Sequence, residues 1–267
     1  MKQTLPRARK RFGQHFLEPA WVARLLDALS PAPNDVFLEI GPGRGALTKP
    51  LADRVRRIVA VEIDRDLAAV LQSQLGPTVR VVESDFLDVD LDGLLQSEAR
   101  PVRVIGNLPY NVASPILFKL LHGAAEGRLL SDATLMLQKE VADRLSAIPG
   151  SRDYGGLAIQ VALLADVHRL LTLPPGAFRP PPKVTSAVVQ LRFRPAREDV
   201  GDLHTFERVV RGVFLQRRKR LLNALKPVAE TFGRSASDLI AAAGVDGTKR
   251  PEELTLRDMA RLSRAVL

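Results

Sequence analysis

The chain has 267 residues, 46% hydrophobic and 26% charged, enough to bury the core of one large domain plus a small one. It has no cysteine, and its four histidines (His15, His122, His168 and His204) are far apart, which removes disulfides, thiolate nucleophiles and the usual metal-ligand spacings; no metal is expected. A net charge of +9 points to a polyanionic partner, most simply nucleic acid.

In chain order, the first feature is a basic arm: Lys2, Arg7, Arg9, Lys10 and Arg11, with no acid among them. No apolar stretch follows it as a signal peptide would require, and no run is long enough to cross a bilayer, so a cytoplasmic protein is expected. From residue 35 onward, short apolar runs alternate with helical patterns. Strands are expected at 35–40, 57–64, 78–85, 102–107 and 133–139, each rich in Val, Ile or Leu on both faces, as in a parallel sheet covered by helices. Helices are expected at 46–56, 65–75 and 114–122, and later strands at 166–173 and 185–193, divided by the loop PPGAFRPPPKV. This predicts an α/β fold over residues 1–194: a doubly wound, Rossmann-like domain with a mostly parallel sheet.

Residues 195–202, PAREDVGD, read as a linker, and 203–267 as a small all-helical domain with helices at 204–214, 217–226, 235–243 and 255–265. Ser235 before Asp238 and Thr255 before Asp258 have capping-box spacing. A second acid-free basic cluster contains Arg208, Arg211, Arg217, Arg218, Lys219, Arg220 and Lys226. One such cluster could be a solvated face; two at opposite ends of a chain favour an extended phosphate-binding surface.

The chemistry gathers at the expected strand ends. FLEIGPGRGALT (37–48) sets Gly41, Gly43 and Gly45 between a strand and a helix, where backbone can approach a ligand and helix N–H groups are unpaired. The spacing is not that of dinucleotide folds, and alone it selects no ligand. Glu62, at the end of the second strand, suits the two hydroxyls of an adenosine ribose. Asp85 and Phe86, ending the third, suit an adenine amine and ring face. There is no P-loop Lys, and Glu39 would repel a pyrophosphate but accept a cationic methionine tail, so S-adenosylmethionine fits better than NAD or ATP.

The fourth strand ends in Asn107-Leu108-Pro109-Tyr110. An adenine amine is a poor nucleophile because its lone pair is conjugated into the ring. The Asn107 side-chain oxygen and the carbonyl following it could each accept one amine hydrogen, Pro109 would fix that carbonyl, and Tyr110 would offer a stacking face. With an activated methyl donor, alignment and electrostatics carry the reaction, and no strong base is needed.

Together these motifs resemble the ribosomal RNA adenine N6-dimethyltransferase family, in its bacterial branch that dimethylates two adjacent adenosines near the 3′ end of 16S rRNA. RKRFGQHFL (9–17), EIGPGRGALT, VEIDRDL (61–67), NLPYNVASPIL (107–117), LQKEVADRL (137–145), FRPPPKVTSAVVQL (178–191) and FLQRRKRLLNAL (214–225) follow in family order. The resemblance implies that His15, Leu17, Gly41, Glu62, Asp85 and Asn107 contact S-adenosylmethionine, with Gly43 and Phe86 beside them. It implies that Asn107, Leu108, Pro109 and Tyr110 form the amine-binding loop, and that Phe178 stacks on a flipped-out base opposite Tyr110. Arg9, Lys10 and Arg11 and the helix around Arg217, Arg218, Lys219 and Arg220 would hold rRNA phosphates of the 30S subunit or its precursor, with the protein a monomer. His15 stands where the family usually has Asn, and Ser84 where it has Gly or Gln, so altered cofactor affinity is expected. A large-subunit rRNA enzyme would normally read N-I-P-Y, and a DNA adenine methyltransferase D-P-P-Y. An assembly factor that mainly binds the immature small subunit would need the same basic helices.

Overall fold

A computed structural model of the protein describes residues 15–125 and 129–267. The elements run β1 (Phe16–Leu17), α1 (Pro19–Leu29), β2 (Val36–Ile40), α2 (Thr48–Ala52), β3 (Arg57–Glu62), α3 (Arg65–Gln74), β4 (Val79–Glu83), α4 (Leu91–Leu95), β5 (Val102–Asn107), α5 (Ala113–Ala125), β6 (Leu130–Gln138) and α6 (Lys139–Leu145). They continue with α7 (Gly156–Leu164), β7 (Ala165–Leu173), β8 (Phe178–Arg179), β9 (Ser186–Phe193), α8 (Leu203–Phe214), α9 (Leu221–Thr231), α10 (Ala236–Ala243) and α11 (Leu256–Val266). The described residues form two compact units: those up to Ala142 with Asp166–Arg194, and Asp143–Ala165 with Pro195–Leu267.

The first unit is a seven-stranded sheet in the order β4-β3-β2-β5-β6-β9-β7. β2 pairs in parallel with β3 and β5, β3 with β4 and β5 with β6, whereas β6 and β9 run antiparallel, so the sheet is mostly parallel as expected. β2, with every residue buried, takes an interior place between β3 and β5 because Val36, Phe37, Leu38 and Ile40 are apolar on both faces. From β2 the chain winds outward through β3 and β4, then returns to β5 on the other side. That reversal opens a crevice at the carboxyl ends of β2 and β5, where ligands of such sheets bind.

Besides the short helix α4, two features of this unit have no counterpart among the expected elements. Helix α1 opens on Pro19, whose missing N–H is harmless in a first turn, and buries Val22, Leu25, Leu26 and Leu29. The two-residue strands β1 and β8 pair antiparallel, Phe16 opposite Arg179 and Leu17 opposite Phe178. α2 is shorter than the expected 46–56, because the glycine-rich turn continues to Leu47.

The second unit is helical around buried Phe206, Val210, Leu221, Leu225, Leu239, Met259 and Leu262. Ser235 Oγ accepts from the Asp238 N–H, and Thr255 and Asp258 form a reciprocal capping box. The unit also takes residues 143–165, which the composition change at Arg194 groups with the first. Helix α7 is apolar on every face and cannot stand in water. Its segment is tied in by Tyr154 Oη donating to the Leu254 carbonyl (2.7 Å), Gly150 N–H to that of Glu252 (2.7 Å) and Arg197 N–H to that of Leu163 (3.0 Å). The helix expected at 217–226 is also displaced. Residues 215–219 form turns and Arg220 is extended, while Leu221 donates to the Lys249 carbonyl (2.7 Å) and opens α9 there. Among the described residues no helix is long and apolar enough to cross a membrane, and no group of three His, Asp or Glu could hold a metal ion.

Candidate active site

A cavity of about 340 Å³ lies at the carboxyl ends of the central strands. Of the residues singled out in the sequence, His15, Leu17, Gly41, Gly43, Glu62, Asp85, Phe86, Asn107, Leu108, Pro109 and Tyr110 all line it. They come from β1, the glycine turn and the ends of β3, β4 and β5, so the doubly wound topology alone assembles them.

The glycine turn has φ of 67° at Gly41 and 59° at Gly43, left-handed values that a side chain resists. A Cβ on Gly43 would approach the Phe16 ring to 3.0 Å, whereas one on Gly41 would meet nothing within 4 Å. Gly43 thus lets β1 close over the turn, and Gly41 leaves open space beside the backbone.

Glu62 is 3% exposed, and its carboxylate accepts from the Gly43 N–H (2.9 Å) and the Asp64 N–H (2.8 Å). Burial pushes its pKa above the ordinary carboxylate value, while those two bonds pull it back. Glu39 is more extreme. It is 2% exposed, and burial pushes its carboxyl up to about 7; the neighbouring Thr48 hydroxyl pulls it back, too far or too poorly aligned to make a full hydrogen bond, and the charge of Glu62 adds to the rise. Its Oε2 and the hydroxyl of neighbouring Thr48 are buried without a hydrogen-bond partner among the described residues. A buried carboxylate with an unfilled valence at the wall of a cavity is costly unless a ligand answers it. At the end of β4, Asp85 caps the following turn by accepting from Leu87 N–H (2.9 Å). Lys119 donates to the Leu87 carbonyl (2.7 Å) and sits over the Phe86 ring, 5.6 Å from its centre.

The Asn107 amide nitrogen donates to the main-chain carbonyl of His15 (2.6 Å), and this bond sets the amide's orientation: Nδ2 is engaged and Oδ1 remains an acceptor. Leu108 is buried and donates its N–H to the Met136 carbonyl (3.3 Å), anchoring the loop to β6. Tyr110 stacks loosely against the His15 imidazole, with ring centres 6.0 Å apart and planes at 22°. Its hydroxyl lies 2.7 Å from Ser186 Oγ.

Phe178 is the exception. The β1–β8 pairing sets it against Leu17, and its ring, 1% exposed, packs in the apolar core with Leu173, Ala177 and Val188 instead of lining the cavity. The expectation of a stacking ring opposite Tyr110 is corrected accordingly: an aromatic side chain enclosed by apolar neighbours gains more from burial than from a wet slot. Arg9, Lys10 and Arg11 lie outside the described residues. Arg218, Lys219 and Arg220 lie on the turn before α9, all three exposed. Arg217 instead pairs with Glu252 (2.7 Å) and donates to the Arg152 carbonyl (2.7 Å). Ser186 lies within FRPPPKVTSAVVQL (178–191) without being singled out, and neither its bond to Tyr110 nor that of the His15 carbonyl to Asn107 could be read from the sequence, because the partners are distant in the chain.

The site residues fit S-adenosylmethionine. Glu62 has lone pairs left for a diol, Glu39 has an unanswered buried oxygen for an ammonium, and Gly41 leaves room for close approach. The profile of the family described as "Ribosomal RNA adenine dimethylase" matches residues 6–266. The chain is 45% identical to "Ribosomal RNA small subunit methyltransferase A" of Pseudomonas savastanoi pv. phaseolicola, over 96% of this chain and 94% of that protein. Among solved structures, a dimethyladenosine transferase from Plasmodium falciparum superposes with a TM-score of 0.74 at 23% identity, covering 93% of this chain and 96% of that one. The 23S rRNA methyltransferase ErmE superposes with a TM-score of 0.64 at 27% identity, covering 94% and 99%.

Proposed function

The chain belongs to the ribosomal RNA adenine dimethylase family, and from that membership we propose that it dimethylates N6 of two adjacent adenosines near the 3′ end of 16S rRNA in the small ribosomal subunit, late in assembly. It is an S-adenosylmethionine-dependent rRNA methyltransferase. The observation that carries the finer reading is the Asn107 amide, whose nitrogen is committed to the His15 carbonyl and whose oxygen is left as an acceptor at the cavity.

Bound S-adenosylmethionine supplies an electrophilic methyl group on its sulfonium. Glu62 would hold the ribose, Asp85 and Phe86 the adenine, and Glu39 the ammonium of the methionine tail, with His15, Leu17, Gly41 and Gly43 shaping the walls. The target base would be flipped from its strand and stacked on Tyr110. Asn107 Oδ1 and the main-chain carbonyl before Pro109 would accept the two amine hydrogens. That draws the nitrogen lone pair out of conjugation, and leaves the surplus proton to solvent after transfer. Arg218, Lys219 and Arg220 would hold rRNA phosphates as point contacts. The partner is the 30S subunit or its precursor, met by a monomer in the cytoplasm.

The test is methyl transfer from labelled S-adenosylmethionine to 30S subunits that lack the modification, with 50S subunits and adenine-containing DNA alongside. The reading expects labelled N6,N6-dimethyladenosine from 30S alone. Label in 50S would move the chain to the large-subunit branch, and tight 30S binding without transfer would favour an assembly factor.

A further inference from the structure

Tyr110 is held at its hydroxyl and at its ring face by two groups far from it in the chain, Ser186 and His15. Its hydroxyl and Ser186 Oγ are 2.7 Å apart. Ser186 is 1% exposed and is the first residue of β9, opposite Gln138 of β6, so the sheet and not a loop fixes its position. The face of the Tyr110 ring meets the His15 imidazole, whose Nδ1–H donates to the Pro180 carbonyl (2.7 Å).

These two contacts restrain different motions. A phenol oxygen lies on the ring's own rotation axis, so a bond to it fixes where the axis points but not the plane. The facing imidazole, itself tethered, sets the plane. Together they leave the ring little freedom, although it sits one residue past a proline on a connecting loop.

We propose that Ser186 is a positioning residue for the target base: by holding the Tyr110 hydroxyl it fixes the surface on which the adenine stacks, and so the distance from the adenine N6 to Asn107 Oδ1. The proposal rests on Asn107 to Tyr110 being the base-binding loop. A tilt of the ring would carry the base with it, and misplacement by about 1 Å costs roughly 100-fold in rate. A hydroxyl that merely satisfied a buried phenol would matter for stability and leave transfer from bound substrate untouched.

A double-mutant cycle separates the two. Single-turnover methyl transfer on unmethylated 30S subunits is measured for Ser186→Ala, Tyr110→Phe and the double variant, with 30S affinity measured beside it. Each single change should slow transfer by on the order of 10- to 30-fold with affinity within about twofold, and the double should be no slower than Tyr110→Phe alone. An unchanged rate in Ser186→Ala, or losses that multiply in the double, would overturn the proposal. Should Ser186→Ala fail to fold, Tyr110→Phe removes the same bond from the other side, and an unchanged rate there is equally fatal. Asn107→Ala is the control: full activity in it brings down the loop reading itself, whereas lost activity there with Ser186→Ala and Tyr110→Phe intact brings down the role of Ser186 alone.

Discussion

The two ends of the β-sheet in the first unit treat buried polar groups in opposite ways. Near the start of β5, Arg103 is saturated: it pairs with Asp132 (2.9 Å) and Asp35 (2.8 Å), donates to the Leu29 carbonyl (3.0 Å) and lies over the Phe37 ring, while Gln190 also donates to Asp132 (2.9 Å). At the carboxyl ends, Glu39 keeps an oxygen without a partner among the described residues, and Glu62 carries a pKa raised by burial. One end commits its polar groups to one another and gains rigidity. The other holds valences open, at a cost to the free protein that a ligand offsets on binding.

The sharpest way to break this contrast is at the saturated end. Arg103→Met would strand Asp132 and Asp35 and is expected to destabilise the first unit by about 3–5 kcal/mol. Thermal or urea unfolding would show it, while methyl transfer at 25 °C stays within a few-fold of the parent. The open end should respond in reverse. Asn107→Ala should lower the transfer rate by roughly 10²–10³-fold, equivalent to about 2.7–4 kcal/mol, with the unfolding midpoint nearly unchanged.

Glu39 offers a test by pH. Its buried carboxyl is pushed up to about 7 from an ordinary 4.5, so between those values the free folded protein holds a proton that the unfolded chain has released. The stability this contributes is complete below about pH 4.5 and is lost as pH rises through about 7. Without cofactor, Glu39→Gln should therefore be more stable than the parent above pH 7, by up to about 2–3 kcal/mol. Affinity for S-adenosylmethionine should strengthen in the parent as pH rises through 7, and calorimetry should find that trend flattened in Glu39→Gln. The smallest effect belongs to the second unit, where paired Arg217 adjoins Arg218 and exposed Lys219. Lys219→Ala should reduce the slope of log affinity for 30S against log salt by about 1, whereas Glu252→Gln, which loosens Arg217 without removing a cation, should leave that slope unchanged.

What can be read from the sequence follows the same division. The strands and the four strand-end motifs are legible because each is local: Gly41 to Gly45, Glu62, Asp85 and Asn107 to Tyr110 need only their neighbours to declare a turn or a strand end. α1 has its own signal in Pro19 and the apolar spacing of Val22, Leu25, Leu26 and Leu29. Arg103 reads as a lone charge in a strand, since Asp132 is 29 positions away and Asp35 is 68. Ser186 is hidden for the same reason, 76 positions from Tyr110. Phe178 escapes its motif because a motif names a residue without saying which way its backbone turns, and here pairing with β1 turns it into the core. The start of α9 depends on the Lys249 carbonyl, which no pattern within 217–226 could supply.

The pairing of β1 with β8 also bears on how the protein is made. His15 and Pro180 are bonded across 165 positions, so the wall of the cavity built by the first described residues waits for the Pro-rich loop before it can close. At synthesis rates of about 5–20 residues per second that interval is roughly 8–33 s, during which only the parallel strands β2 to β6 are available to pair, since β9 follows the loop and β7 lies beyond β9. A nascent chain halted short of that loop would carry the five parallel strands but not the contact of His15 with Pro180 that closes this wall of the cavity.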